Sequence, residues 1–378
     1  MRLCSTYKHC ILAQPMTLFK RLTYRTEVIS VAGWLGLRPL LKRWYLRGAR
    51  PRSVALLRSL VATLLLPLKW LFRWLFKVMN RRQRRALVRL PGALAVYSSI
   101  APFLLSARSE DGIPCARVNG LKMYIDPDEK ASNTASFLWG QYEPATTAVF
   151  MEVVTGGDVV VDVGAHWGYF TLLAASLCGT HGRVFAFEPH PRNLALLEKN
   201  VEANGLTNVV VVPKAISNRA GTAKLFQSRS TTGHSIDSVV LLQLEGTPGG
   251  GSAKESIAVD TVALDDFFAQ GSVGPRLIKM DIEGAEPLAL AGMQCLIERN
   301  PSLVLITEFN PFYLDAKAAT DFLDQLAACG LGVAIIDEDR RQFAVGPKAA
   351  VLKRLLDGET TCNLLATRDR SLFERLRA

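Results

Sequence analysis

A chain of 378 residues, 49% of them hydrophobic and 21% charged, can bury a substantial core and has room for two or three domain-sized units. Its net charge of +11 is unevenly placed: residues 1–108 hold 21 Lys and Arg against one acid, Glu27, whereas the remainder holds 24 bases against 33 acids. The basicity therefore belongs to the N-terminal stretch and gives no reason to expect nucleic acid as a partner of the body, while seven scattered cysteines without C-x-x-C spacing and five histidines without a ligand cluster argue against a disulfide framework and a metal site.

Residues 1–108 alternate apolar and basic side chains and are expected to form a helical leader. Ser59–Leu68 is charge-free for ten residues, too short to cross a bilayer. Residues 90–107 are 18 without charge, but Pro91, Gly92, Ser98, Ser99 and Pro102 interrupt them. Trp70, Phe72, Arg73, Trp74, Phe76 and Lys77 interleave rings and bases, as in a helix lying in a membrane interface. Each base of the cluster at 81–85 would then contribute ~1 kcal/mol against anionic headgroups. Three readings stay open here: peripheral membrane contact by a cytoplasmic protein, an Arg-rich transit peptide, or a true start downstream, such as Met79, with much of the leader untranslated or unfolded.

At 109–378 the composition becomes that of an ordinary soluble domain. Ala116–Ile125 reads as a hairpin turning at Asn119-Gly120. A helical run towards Met151 follows Tyr142-Glu143-Pro144, and by spacing alone Glu143 is a surface residue. Next come a buried strand (Val159–Val163), a Gly164-Ala165-His166-Trp167-Gly168 turn, an apolar helix (Tyr169–Cys178) and a strand (Arg183–Phe187) ending on Glu188. A βαβ unit with a glycine turn and an acid at the tip of its second strand is a nucleotide-type binding half. Glycine lets backbone approach a ligand, and a carboxylate at the tip accepts ribose hydroxyls. The turn is G-x-x-x-G, not the G-x-G-x-x-G of dinucleotide sites.

Further along, a helix from Pro191 to Asn204 stops at Gly205. Asn208–Val212 and Lys224–Phe226 read as strands, and polar, Gly-rich Gln227–Glu255 as a mobile flap. Ile257–Val262 and a helix starting at Leu264–Phe268 lead to a strand (Leu277–Ile282) that emerges into Asp281, Glu283 and Glu286 around Gly284. Strands Leu303–Glu308, Val333–Asp337 and Asn363–Thr367, with helices Pro287–Glu298 and Ala316–Cys329, complete an open α/β sheet whose ligand sits at the strands' carboxyl ends.

The combination of Asp162-Val163-Gly164-Ala165-His166-Trp167-Gly168, Phe187-Glu188-Pro189, Asn200 with Asn204-Gly205, and Lys279-Met280-Asp281-Ile282-Glu283-Gly284-Ala285-Glu286 resembles the FkbM family of methyltransferases over 142–367. The resemblance implies a class I, Rossmann-like α/β fold: a mostly parallel seven-stranded sheet, its last strand antiparallel, with helices on both faces. It also implies methyl transfer from S-adenosylmethionine, typically to a hydroxyl oxygen, and raises Glu143 above a surface residue. On that reading Gly164, Ala165 and Gly168 carry the backbone beneath the methionine part of the cofactor. Glu188 holds the ribose, Ala215 and Ile216 border the adenine, and Asp162 and Asp281 order the turn and the methionine ammonium. Candidates for the base or polar orienter are Glu283, Asp281 and His166, with His234 and Ser235 in the flap. Glu283 and Glu286 alternatively satisfy the N-terminus of the next helix, which favours acids.

Three functions compete. The first is O-methylation of a hydroxyl on a sugar, glycolipid or natural product. The second is an NAD-linked oxidoreductase, disfavoured by the missing dinucleotide fingerprint. The third is a membrane-associated α/β scaffold without turnover, against which Gly164, Glu188 and Asp281 all stand intact. Fold alone does not choose a substrate.

Overall fold

The computed structural model describes residues 107–108, 113–126, 142–229, 238–244, 255–270, 274–310, 316–338, 342–345, 352 and 362–376. The chain divides into two compact units, Met1–Cys115 and Ala116–Ala378. In the first, β1 (Ala107–Arg108) pairs antiparallel with the opening residues of β2 (Pro114–Val118). The rest of the expected leader lies outside the described residues. No helix among the described residues is long and apolar enough to cross a membrane.

The second unit begins with β2 turning into β3 (Leu121–Tyr124). Asn119 and Gly120 both take positive φ, 51° and 83°, the geometry that matches a hairpin's twist. Then follow α1 (Pro144–Val153), β4 (Val159–Val163), α2 (Tyr169–Cys178), β5 (Arg183–Phe187), α3 (Pro191–Ala203) and β6 (Val209–Val212). After them come β7 (Ala215–Ile216), β8 (Gly221–Arg229), β9 (Ser238–Leu244), β10 (Glu255–Val262), α4 (Leu264–Phe267) and β11 (Leu277–Met280). The remainder is α5 (Glu286–Ala291), α6 (Gln294–Arg299), β12 (Val304–Phe309), α7 (Ala316–Ala328), β13 (Gly332–Asp337), β14 (Gln342–Val345), β15 (Cys362–Thr367) and α8 (Arg370–Arg375).

The main sheet runs β14-β13-β15-β12-β11-β4-β5-β6. Strands β6, β5, β4, β11 and β12 are parallel neighbours, and β15 lies antiparallel to both β12 and β13. All seven strands of the class I order are therefore present, with the late strand reversed. An eighth, β14, adds antiparallel to β13. Four residues after the charged run 338–341 gave too little periodic signal to mark it.

Side chains alternate across a strand, so register sorts them to faces. Val161, Val163, Ile278, Met280, Leu305, Leu364 and Ala366 build one core with α4, α5, α6 and α7. Asp162, Lys279 and Ala186 are register neighbours on the opposite face. That face carries α2 and α3, as Phe170 over Lys279 and Leu197 against Ala186 show. Helices thus cover both faces.

Two expectations change. The stretch read as a flap contains β9, SVVLLQL, whose β-branched and leucine run pairs with β8 in a four-stranded sheet, order β7-β10-β8-β9. Residues 230–237 and 245–254, with His234 and Ser235, lie outside the described residues. The helix expected over Pro287–Glu298 is broken into α5 and α6 at Gly292. There the backbone passes so close to the Ser217 carbonyl that a Cβ would lie 2.2 Å from its oxygen.

Candidate functional site

The turn after β4 is folded onto the tip of β5. The N–H groups of Gly164 and Ala165 both donate to the Phe187 carbonyl at 3.0 Å, and His166 N donates to Glu188 Oε2 at 2.8 Å. Gly164 has φ +79°, and a Cβ on it would lie 2.0 Å from the Asp281 carbonyl oxygen, so only glycine lets the turn pass under the β11 loop. Ala165 is buried against Ala186 and Leu197. The turn closes with Gly168 N on the Ala165 carbonyl, 2.7 Å. These three N–H groups are turned inward, so what they contribute to a ligand is the path of the backbone.

Glu188 is 5% exposed. Besides His166 N it accepts from His190 N at 2.8 Å and takes a hydrogen bond from Asn193. Burial pushes its carboxyl up to about 7, against the pull of those donors. Asp162, buried at the end of β4, accepts from Thr171 Oγ1 at 2.5 Å, which ties β4 to α2; burial raises it to about 6. His166 is half-buried and stacked on Trp167, ring centroids 4.4 Å apart, and burial pulls it down to about 4.

Beyond β11 the chain delivers acids around one cation. Lys279 is 1% exposed; its Nζ donates to Asp281 Oδ2 at 3.1 Å and sits 5.0 Å from the centre of the Phe170 ring. Burial alone would lower this lysine, but Asp281, Glu143 and Asp162 together hold it above its ordinary value. Glu286 is 2% exposed and accepts from Ile282 N at 3.0 Å and Gly284 N at 2.9 Å, so it closes the 282–286 loop that leads into α5. Burial raises it to about 7. Glu283, freed of that task, sits at φ 53° with its carboxylate near those of Asp281 and Glu308. Oxygens of these three lie within 4.8 Å of one another, a spacing at which carboxylates share protons or gather around a cation. Glu308 is pushed well above the usual carboxylate range by burial and then by Asp281, Glu283 and Glu286.

The start of α1 closes the group. Glu143 occupies its N-cap in the left-handed region, φ 38°, where it makes no side-chain cap. The cap comes from Glu338, whose carboxylate accepts from Ala145 N at 2.9 Å and Thr146 N at 2.7 Å. Released from capping, Glu143 Oε2 accepts from Asn363 Nδ2 at 2.9 Å. Burial raises it to about 7, with Lys279 opposing. Tyr142 packs edge-on to Tyr169, 5.0 Å between centroids.

Residues 162–331, the span that carries the turn, the β5 acid and the β11 loop, match the family model described as the Methyltransferase FkbM domain. This segment is an FkbM domain. Over 158 residues the chain is 33% identical to the 31-O-demethyl-FK506 methyltransferase FkbM of Streptomyces tacrolimicus, covering 36% of this chain and 60% of that protein. Over 146 residues it is 27% identical to the hexuronic acid methyltransferase AglP of Haloferax volcanii, covering 38% of this chain and 54% of that one. The chain thus spans little more than half the length of these curated relatives. A solved structure of a methyltransferase FkbM from Methylobacillus flagellatus aligns with a TM-score of 0.33 at 16% identity, over 61% of this chain and 54% of the other.

Within and around the FkbM domain, Glu143, Asp162, Gly164, Gly168, His166, Asp281 and Glu283 come together at the carboxyl ends of β4 and β11, with Glu188 beside them at the end of β5. Ala215 and Ile216 stand apart in β7, their side chains buried in apolar clusters with Val259 and with Val163 and Phe187 respectively. Lys279, Glu308, Glu338 and Asn363 escaped the residue-by-residue reading. Lys279 had a signal, since a lysine inside a buried strand requires a partner. Glu308 and Asn363 are placed by pairing across the sheet and Glu338 by its bonds to the start of α1, which no local pattern shows.

Proposed function

We propose that this chain is an S-adenosylmethionine-dependent methyltransferase that methylates a hydroxyl oxygen on a sugar or natural product. The observation that carries the reading is the glycine turn and Glu188 side by side at the carboxyl ends of adjacent strands β4 and β5, inside an FkbM domain. The residues present fit such a cofactor. A carboxylate has about four acceptor positions, and the three donors on Glu188 leave one for a ribose hydroxyl. The acids outnumber Lys279 where a sulfonium and an ammonium would have to be neutralised. Gly164, Ala165 and Gly168 provide the close backbone, Asp281 and Asp162 the ammonium side, and the β7 segment with Ala215 and Ile216 the adenine border. S-adenosylmethionine, when bound, supplies an electrophilic methyl carbon.

The chain's own work is to orient the acceptor hydroxyl and take its proton. Glu283 and Asp281 are the groups we assign to this. His166, pulled down to about 4, is neutral at pH 7 and a weak base. The name of one relative, the 31-O-demethyl-FK506 methyltransferase, supports an oxygen acceptor, and that of the other, a hexuronic acid methyltransferase, supports a sugar framework.

Calorimetry of the full chain with S-adenosylmethionine and with NADH, alongside Glu188→Ala, tests the reading. Micromolar binding of S-adenosylmethionine alone, weakened at least tenfold in the variant, is expected. Binding of NADH in its place would refute it, and binding of neither by folded protein would favour a scaffold without turnover.

A further inference from the structure

Glu308 of β12 and Asn363 of β15 are direct partners in the antiparallel ladder. Their side chains therefore stand on the same face, with Cβ atoms ~5 Å apart. Asn363 is 6% exposed, and its Nδ2 donates to Glu143 Oε2 and to Thr146 Oγ1, both at 2.9 Å, which spends its two hydrogens and aims the amide at Glu143. Asn363 Oδ1 and Glu308 Oε2 are both buried, and neither has a hydrogen-bond partner among the described residues. An unmade bond at a buried acceptor is costly, so two of them on neighbouring positions of one ladder describe a place built for a donor.

We propose that Glu308 and Asn363 form the subsite for the methyl acceptor and that it takes a neutral polyol through two adjacent hydroxyls. The proposal rests on the methyltransferase reading above. In the strand order β15-β12-β11-β4-β5, the turn and Glu188 occupy the β4/β5 end and the orphan pair the β12/β15 end, with Asp281 and Glu283 of the β11 loop between them. A ligand at Glu308 therefore lies across the acids from the cofactor side.

The chemistry of the pair selects the ligand. An anion is repelled, because Asp281 and Glu283 place carboxylate oxygens within 4.8 Å of Glu308's. An ammonium is a poorer match, because the Asn363 carbonyl carries no charge and Lys279 together with the cofactor's own cations already draws on the neighbouring acids. Burial and those same acids, together with Glu286, push Glu308 well above the usual carboxylate range, towards its protonated form. A protonated carboxyl gives one hydrogen bond and takes another, as a hydroxyl does, and the Asn363 carbonyl accepts from the neighbouring hydroxyl.

The test uses the full chain with S-adenosylhomocysteine bound and three probes of one shape, read by saturation-transfer NMR. They are trans-1,2-cyclohexanediol, the corresponding diammonium and the corresponding dicarboxylate. The diol is expected to bind at least tenfold better than either ion. Glu308→Leu and Asn363→Leu should each weaken it at least tenfold, with S-adenosylhomocysteine affinity unchanged within twofold. Glu308→Gln, which also donates and accepts, should keep the diol. The proposal is overturned if the diol binds Glu308→Leu like the wild type, if an ion is preferred, if no probe binds, or if diol binding requires magnesium and is abolished by EDTA. Should Glu308→Leu fail to fold, the Glu308→Gln and Asn363→Leu arms decide. Failure of the wild type to bind S-adenosylhomocysteine would overturn the methyltransferase reading itself, and this inference with it.

Discussion

Replacing Lys279 by Met keeps most of the side-chain volume and removes the buried cation that faces Asp162, Asp281 and Glu143. Breaking a buried ion pair from one side costs about 3–5 kcal/mol. Asp281 keeps 26% of its side chain exposed, so water recovers part of that, and Asp162 keeps its Thr171 donor. The lower end, about 3 kcal/mol, is therefore expected at pH 8, or about 6–12 °C in Tm for a domain of this size. Burial already raises Asp162 to about 6 and Glu143 to about 7 with Lys279 opposing, so losing the lysine raises both further. At pH 5 both are neutral in the folded variant, and the penalty shrinks to the lost contacts, about 1 kcal/mol. Calorimetric scans of wild type and Lys279→Met at pH 8 and pH 5 measure the two gaps. Equal gaps at both pH values, or no gap at pH 8, would show that the lysine does not neutralise these carboxylates.

Gly164→Ala places a methyl group 2.0 Å from the Asp281 carbonyl oxygen at φ +79°. The turn and the β11 loop must separate, so S-adenosylmethionine affinity should fall more than tenfold, and an unchanged titration would contradict the packing described. Asn200→Ala removes hydrogen bonds to Tyr124 N, Tyr124 O and Trp167 O, of 2.6, 3.1 and 2.7 Å. A loss of about 2–4 kcal/mol is expected in urea unfolding, with hydrogen exchange at Tyr124 rising most. Glu188 and Glu286, near 7, and Asp162, near 6, are all raised from about 4 in the unfolded chain. The folded state therefore binds more protons. The stability they contribute is full below pH ~4 and lost as pH rises to about 7. Tm should be higher at pH 5 than at pH 8, and Glu188→Gln should flatten that dependence; a dependence of equal slope in the variant would exclude Glu188 as a source.

The βαβ unit was legible because every level agreed. The Val159–Val163 run, the apolar helix to Cys178 and the strand to Phe187 are found with the bounds that periodicity gives. Local chemistry also carried the alternative roles of Glu283 and Glu286, and the structure separates them: Glu286 closes the 282–286 loop, and Glu283 gathers with Asp281 and Glu308. What local pattern cannot hold is partnership at long range. Glu308 reads as the last residue of a buried run, and only its register with Asn363, 55 positions later, makes it part of a site. Glu338 reads as a charge after a strand, yet it caps a helix 193 positions earlier. β9 was hidden by its glycine-rich neighbours, whose composition outweighed seven strand-forming residues.

Asn200 gives α3 a role beyond cover for the sheet. Its amide and that of Asn204, one turn on, meet the backbone of β3 as a neighbouring strand would, accepting from Tyr124 N and Lys122 N and donating to their carbonyls. The same Asn200 nitrogen holds the Trp167 carbonyl of the turn. A single side chain therefore fastens the hairpin and the turn to one another like a rivet through two plates. A displacement of the hairpin is thus felt at the Trp167 carbonyl of the glycine turn through Asn200, and at the head of α2 through the bond from Asn119 to Tyr169, so the hairpin and the binding edge are mechanically coupled.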